Sequence, residues 1–245
     1  MLRAFASGRL FGESYGSGVP AVLALHGWAR THADFAAVLG TVPALDAIAP
    51  DLPGFGATPA PPSAWGSPEY ADAVAPVLEE MAEEVIVIGH SFGGRIAVHL
   101  AASRPDRVRS LVLTGVPLFR PEGAARRPAA RYRAVRRLAR LGLVGDRRLE
   151  AARQRYGSAD YRAASGVVRD VLVTMLGERY DEPLAALRCP VSLVWGAADH
   201  DVPVSVGRRT HALVPGSTLI ELPGVGHLTP TEAPEALRRA LGALL

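Results

Sequence analysis

One ten-residue stretch, Val85-Ile86-Val87-Ile88-Gly89-His90-Ser91-Phe92-Gly93-Gly94, constrains the fold of this chain more than any other. Four β-branched apolar residues in succession suit a strand buried on both faces, as a parallel sheet requires. The next five residues read G-H-S-F-G. Beyond them Arg95 to Ser103 is rich in Ala, Ile, Val and Leu and closes at Arg104-Pro105, which predicts a helix starting at Phe92 or Gly93. A serine at the tip of a sharp strand-to-helix turn holds its hydroxyl clear of the sheet, and flanking glycines let strand and helix approach closely. Ser91 is therefore a candidate nucleophile. The amide of Phe92, at the positive end of the new helix, faces the place where negative charge would develop on a substrate oxygen.

The rest of the chain alternates strand and helix around that stretch. Phe5 to Tyr15, with glycines at 8, 12 and 16, suits an antiparallel hairpin at a sheet edge. Ala21 to Leu25 and Ala47 to Pro50 read as strands flanking a helix over Ala33 to Leu39, capped by Thr31 or His32. Ser67 to Met81 reads as one helix, with Ser67 as N-cap and Pro68 in its first turn. Ser110 to Thr114 is the next buried strand. From Val116 to Leu187 strand-like runs give way to helical patterns, over Pro128 to Leu141 and over a stretch capped by Ser158 and ending near Gly177. Alternation returns with strand Val191 to Gly196, a helix from Val204 to Leu213, strand Thr218 to Leu222 and a final helix over Thr231 to Leu244. This rhythm predicts an α/β fold, a mostly parallel twisted sheet with helices on both faces. Residues 1–116 and 188–245 form the expected core, and 117–187 an all-helical insertion.

Several classes of function recede on composition. No run approaches 18 uninterrupted apolar residues, so stable membrane insertion is not expected. Met1 to Gly18 holds no continuous apolar segment of the secretory kind, and a cytoplasmic protein is the expectation. Cys189 is the single cysteine, which rules out an intrachain disulfide, and it reads as a buried spacer. All 27 basic residues are arginine, yet a formal charge of +3 does not argue for nucleic acid. Twelve of those arginines fall between Arg120 and Arg155, against three acidic residues, Glu122, Asp146 and Glu150. Interspersed with apolar residues at helical spacing, they read first as the wet face of helices.

A serine hydroxyl needs a base, and the base a third group to orient it. Of seven histidines, His227 in Gly224-Val225-Gly226-His227 follows the last strand, on the side where sites of such sheets gather. His26 and His90 adjoin the motifs as positioning groups or pocket neighbours. For the acid, Asp199 and Asp201 in Gly196-Ala197-Ala198-Asp199-His200-Asp201-Val202-Pro203 are equally placed by the residues alone.

From end to end the chain resembles the α/β-hydrolase family. The resemblance rests on the nucleophile turn at 89–93, His26-Gly27 ahead of Trp28, Asp51-Leu52-Pro53-Gly54-Phe55-Gly56, the WGxxDxxVP segment at 195–203 and GxGH at 224–227. It implies Asp199 as the acid, the amide of Trp28 as a second oxyanion donor beside Phe92, and the insertion at 117–187 as a cap shaping the pocket. Relatives that cleave epoxides or haloalkanes carry Asp at the nucleophile position, where this chain has Ser91, so acyl chemistry is favoured.

The resulting expectation is a serine hydrolase with Ser91, His227 and Asp199 as its triad. The amides of Trp28 and Phe92 form the oxyanion hole, and His26, Trp28, His90 and Arg95 stand near the pocket. It needs neither cofactor nor metal and acts on a small ester or related carbonyl compound. Gly93-Gly94-Arg95 and the arginine-rich cap are also similar to the carbon–carbon bond hydrolases and menaquinone-pathway lyases of this fold, whose substrates carry carboxylates. A non-catalytic small-molecule receptor is the remaining alternative.

Overall fold

The computed structural model describes residues 1–41, 43–119, 130–156 and 159–245. In chain order it forms β1 (Arg3–Phe5), β2 (Leu10–Tyr15), β3 (Val22–Leu25), a 3-10 turn running into α1 (Ala36–Leu39), β4 (Ala47–Pro50), α2 (Ser67–Val74), β5 (Val85–His90), α3 (Phe92–Ser103) and β6 (Val108–Thr114). Five described helices follow: α4 (Ala130–Arg140), α5 (Asp146–Tyr156), α6 (Ala159–Ala163), α7 (Gly166–Met175) and α8 (Asp181–Ala185). The chain closes with β7 (Val191–Gly196), α9 (Val204–Leu213), β8 (Thr218–Leu222), α10 (Thr229–Glu232) and α11 (Pro234–Gly242).

The eight strands make one sheet in the order β1-β2-β4-β3-β5-β6-β7-β8. β1 and β2 are the antiparallel edge expected from the glycine-punctuated N-terminus, and the pairings from β4 to β8 are parallel. Side-chain alternation along β5 splits the core in two. Val85 and Val87 join the cluster beneath α2, α3 and α9, whereas Ile86 and Ile88 join the cluster beneath α1 and α11. All four are fully buried, each stabilising the fold by about 1.5–3 kcal/mol. A two-faced burial of this kind is what an uninterrupted β-branched run provides.

Several expected helices are shorter than their patterns suggested. The helix over Ser67 to Met81 is α-helical only to Val74, with Ala75–Glu80 tightened into a 3-10 helix, because Pro76 has no N–H to give and its ring crowds the preceding turn. Ser67 is not the N-cap. Gly66 takes that place, and Glu69 accepts the Gly66 N–H at 2.8 Å. The stretch ending near Gly177 divides into α6 and α7 at Gly166, whose φ is +52°. The C-terminal helix divides at Ala233, which Pro234 forces out of the helical region. Helices α5 and α8 are additions. α5 reads DRRLEAARQRY, without the apolar stripe that marks a helix in sequence. Arg120, Glu122, Arg126, Arg127 and the expected cap Ser158 lie outside the described residues.

Candidate active site

Because β3, β5, β7 and β8 run parallel, the loops leaving their carboxyl ends gather along one margin of the sheet. Those loops carry Trp28, Ser91, Asp199 and His227 in turn.

Ser91 joins β5 to α3 with φ 50° and ψ −110°, outside the regions favoured by L-residues. Its N–H donates to Thr114 O at 2.9 Å, and the N–H of Gly94 donates to Ser91 O at 3.1 Å. The glycines on either side explain how so sharp a turn is reached. A Cβ on Gly89 would lie 2.5 Å from Gly94 Cα, and one on Gly93 would lie 2.1 Å from Leu25 O. Holding a serine in this conformation costs on the order of 1–3 kcal/mol, which the surrounding contacts must sustain.

His227 Nε2 stands 3.1 Å from Ser91 Oγ, and His227 Nδ1 stands 2.8 Å from Asp199 Oδ2. The carboxylate can only accept, so Nδ1 carries the proton in this pair and Nε2 is free to receive one from the serine. Asp199 is 4% exposed, and its other oxygen accepts the N–H groups of Asp201 and Val202 at 2.9 and 2.7 Å. These bonds fix the carboxylate before any substrate arrives. They also separate the two acids that sequence left level: Asp201 is exposed and contributes a backbone N–H, while Asp199 touches the histidine.

The N–H of Trp28 and that of Phe92 meet no acceptor among the described residues. The first sits in a tight turn, where Arg30 N–H donates to Gly27 O at 3.2 Å and Ala29 is at φ 55°. Buried groups hold this turn from both sides. His26 Nδ1–H donates to Gly27 O at 2.8 Å, while His26 Nε2 accepts the Leu52 N–H at 2.9 Å. One ring nitrogen therefore donates and the other accepts, which only neutral imidazole can do. Burial accordingly depresses the His26 pKa to about 4. Asp51, 1% exposed, accepts His32 N–H, His32 Nδ1–H and Ala57 N–H. Burial raises its pKa, but these donors outweigh burial and lower it overall.

Of the four residues expected near the pocket, two are closed off from solvent. His26 and His90 are each 1% exposed. His26 makes the backbone bonds just described, and His90 Nε2–H donates to His227 O at 2.9 Å. Arg95 is half-buried and faces main-chain carbonyls: Nε and Nη2 donate to Pro117 O, and Nη1 donates to Met175 O at 3.0 Å. Its guanidinium also lies 5.6 Å from the Tyr180 ring. Trp28 alone of the four presents a half-buried side chain to an aromatic wall, 5.0 Å from Phe55 and 5.3 Å from Phe92 between ring centroids. Tyr70 and Trp65 extend that wall.

Sequence reasoning missed two acids, one that ties the segment after β6 to α2 and one that holds the loop of His227. Glu178 accepts Ser67 N–H and Ser67 Oγ–H at 2.5 and 2.7 Å and also pairs with the Tyr180 hydroxyl, so it ties the helical insertion to α2. Glu232 accepts the N–H groups of Gly226 and Leu228 at 2.6 and 3.1 Å, on either side of His227. The Thr229-Pro230-Thr231-Glu232 run has the spacing of a helix-capping box, a local signal for a carboxylate that reaches back toward the preceding loop.

An open, mostly parallel sheet whose central strand ends in a strained serine, with an acid and a histidine on later loops, defines a hydrolytic enzyme. The chain belongs to the alpha/beta hydrolase family, whose profile matches residues 22–240. It is 32% identical over 243 residues to a pimeloyl-[acyl-carrier protein] methyl ester esterase of Chromobacterium violaceum, a match spanning 89% of this chain and 91% of that protein. A protein of the same description from Aromatoleum aromaticum is 30% identical over 248 residues, spanning 88% and 94%. Among solved structures, a thermophilic esterase from Thermogutta terrifontis superposes with a TM-score of 0.72 at 22% identity, covering 100% of this chain and 97% of that one.

Proposed function

We propose that the enzyme hydrolyses small carboxylic esters through an acyl-enzyme on Ser91, with His227 as base and Asp199 as its orienting acid. The observation that carries this reading is the unbroken line Ser91 Oγ, His227 Nε2, His227 Nδ1, Asp199 Oδ2, with separations of 3.1 and 2.8 Å. Ser91 Oγ attacks the ester carbonyl carbon as its proton passes to His227 Nε2. The oxygen that becomes negative is received by the free N–H groups of Trp28 and Phe92, at the positive end of α3. Collapse expels the alcohol, which takes the proton from His227. Water then enters by the same route in reverse and releases the acid.

Two observations bear on the substrate. The wall beside the oxyanion donors is aromatic, built by Trp28, Phe55 and Phe92, and suits an apolar acyl chain. The relatives named as methyl ester esterases support a small alcohol as the leaving group. The competing reading, carbon–carbon cleavage of a carboxylate-bearing substrate, rests on Gly93-Gly94-Arg95 and on the cap arginines; of these, the Arg95 guanidinium is committed to Pro117 O and Met175 O. Residues 117–187 are the cap in this reading, supported by Val171 and Met175, which are buried in the apolar cluster that also holds Phe55 and Phe92.

The test is hydrolysis of p-nitrophenyl and methyl esters over a series of acyl lengths, by the native chain and by Ser91→Ala. Turnover that depends on Ser91 and peaks at one chain length is expected. Turnover that survives the loss of Ser91 overturns the proposal.

A further inference from the structure

His90 is the one buried imidazole beside the nucleophile that the reaction above leaves without a task. Its ring is 1% exposed and its centroid lies 4.9 Å from that of His227. The partner of Nε2 is the His227 carbonyl, which can only accept, so Nε2 carries the proton and Nδ1 is the bare nitrogen. That bare nitrogen has no hydrogen-bond partner among the described residues. It is packed against Gly27, where a Cβ would come within 2.7 Å of it. Burial lowers the His90 pKa to about 4, with proximity to His227 adding to the effect. The ring is thus held neutral, in one tautomer and with one bond to make.

That bond falls on the main chain of His227 itself. The loop carrying His227 follows an edge strand and is otherwise secured by its neighbours: Glu232 takes the N–H groups of Gly226 and Leu228, and Val225 O accepts the Ala198 N–H at 2.9 Å. Among the described residues, the backbone of His227 is bonded to His90 alone.

We propose that His90 is a positioning residue which sets the separation between base and nucleophile. The inference rests on the reading of Ser91 and His227 given above. Its physical content lies in adjacency. Ser91 and His227 are 136 positions apart in the chain, but the residue that holds His227 in place is bonded covalently to Ser91. The reference point for the base is thereby carried on the same dipeptide as the hydroxyl it must meet. A shift of β8 relative to β5 is opposed by a bond made at the turn itself. An unprotonated, buried ring also brings no positive charge against the imidazolium that His227 must form.

The experiment compares the native chain with His90→Leu, His90→Gln and His90→Asn. It measures the rate constant and the half-saturation concentration for labelling by a fluorophosphonate, and kcat and KM on p-nitrophenyl butyrate. Melting temperatures are recorded alongside. Gln places an N–H donor near the position of Nε2, whereas Asn is too short and Leu has no donor. The expected result is a loss of up to about 100-fold in the labelling rate constant and in kcat for Leu and Asn, the cost of a small misplacement of the base. KM and half-saturation stay within about twofold, and Gln regains most of the loss. Equal rates in all folded variants overturn the inference, as does a Gln variant no better than Asn. Should Leu fail to fold, the contrast between Gln and Asn decides. A native chain that neither labels at Ser91 nor loses turnover in Ser91→Ala refutes the hydrolase reading instead, which separates the two failures.

Discussion

The carboxyl margin of the sheet and the helical insertion are held by different means. At the margin, each group near Ser91 is fixed by short bonds to backbone: Asp199 by two N–H donors, the Trp28 turn by His26 and Asp51, and the His227 loop by His90 and Glu232. Among the described residues, the segment between β6 and β7 meets the core through side chains: Arg95 on Pro117 O and Met175 O, Glu178 on Ser67, and Val171, Met175, Tyr180 and Leu184 packed into the apolar cluster. Within it, Arg169 pairs bidentately with Glu150 and lies 5.4 Å from the Tyr161 ring. The contrast teaches that chemistry and coverage are separable here. Geometry at the margin is over-determined by backbone, whereas the segment between β6 and β7 is held by side chains.

Substitutions at the margin should remove turnover and leave the fold intact. For Ser91→Ala and for His227→Ala, kcat should fall by about 10⁵–10⁶-fold, with a melting temperature within a degree or two of the native chain. Asp199→Asn should lower kcat by about 10⁴-fold. Asp201→Asn, which preserves the backbone N–H that Asp199 uses, should stay within about twofold; comparable losses in the two would collapse the distinction between them.

The next effect is on stability and is largest at the margin. His26 and His90 have folded pKa values of about 4 against 6.5 for an unperturbed imidazole. Between those values the unfolded chain binds protons that the folded chain refuses. Their contribution is complete above about pH 6.5 and is lost as pH falls through about 4. It amounts to on the order of 3 kcal/mol per ring. Urea midpoints at pH 7, 5.5 and 4.5 should decline in that order, and His26→Gln should flatten the decline by its share. A slope unchanged in that variant would detach the buried rings from the effect.

The smallest effect is expected at the junction. Arg95→Met should raise KM a few-fold, leave kcat within about threefold, and increase proteolytic cleavage within 117–187 at unchanged Ser91 labelling. If instead kcat dropped as far as it does in Asp199→Asn, margin and insertion would be one mechanical unit and the comparison would fail.

How much of this could be read in the sequence follows the same division. Runs that encode their own geometry are legible: the β-branched strand with G-H-S-F-G, the G-V-G-H after the last strand, and the alternation that places six of the eight strands individually and the other two as a hairpin at the edge. Asp199 and Asp201 were indistinguishable because they share one loop and differ only in which backbone N–H groups surround each carboxylate. Arg95 illustrates the opposite limit. Its acceptors come from 22 and 80 residues away and are carbonyls, which every residue possesses, so no pattern of side chains announces them. Glu178 is similar, reaching Ser67 across 111 positions. In the insertion, α5 gave no periodic signal because it has little apolar surface to bury.

The left-handed backbone at Ser91 has a consequence on evolutionary time. Glycine would occupy φ 50° without the penalty that any side chain carries there. For a lineage released from selection on turnover, replacing Ser91 by glycine is therefore a thermodynamically downhill drift, of about 1 kcal/mol. A serine at this φ is thus a feature that folding alone does not reward.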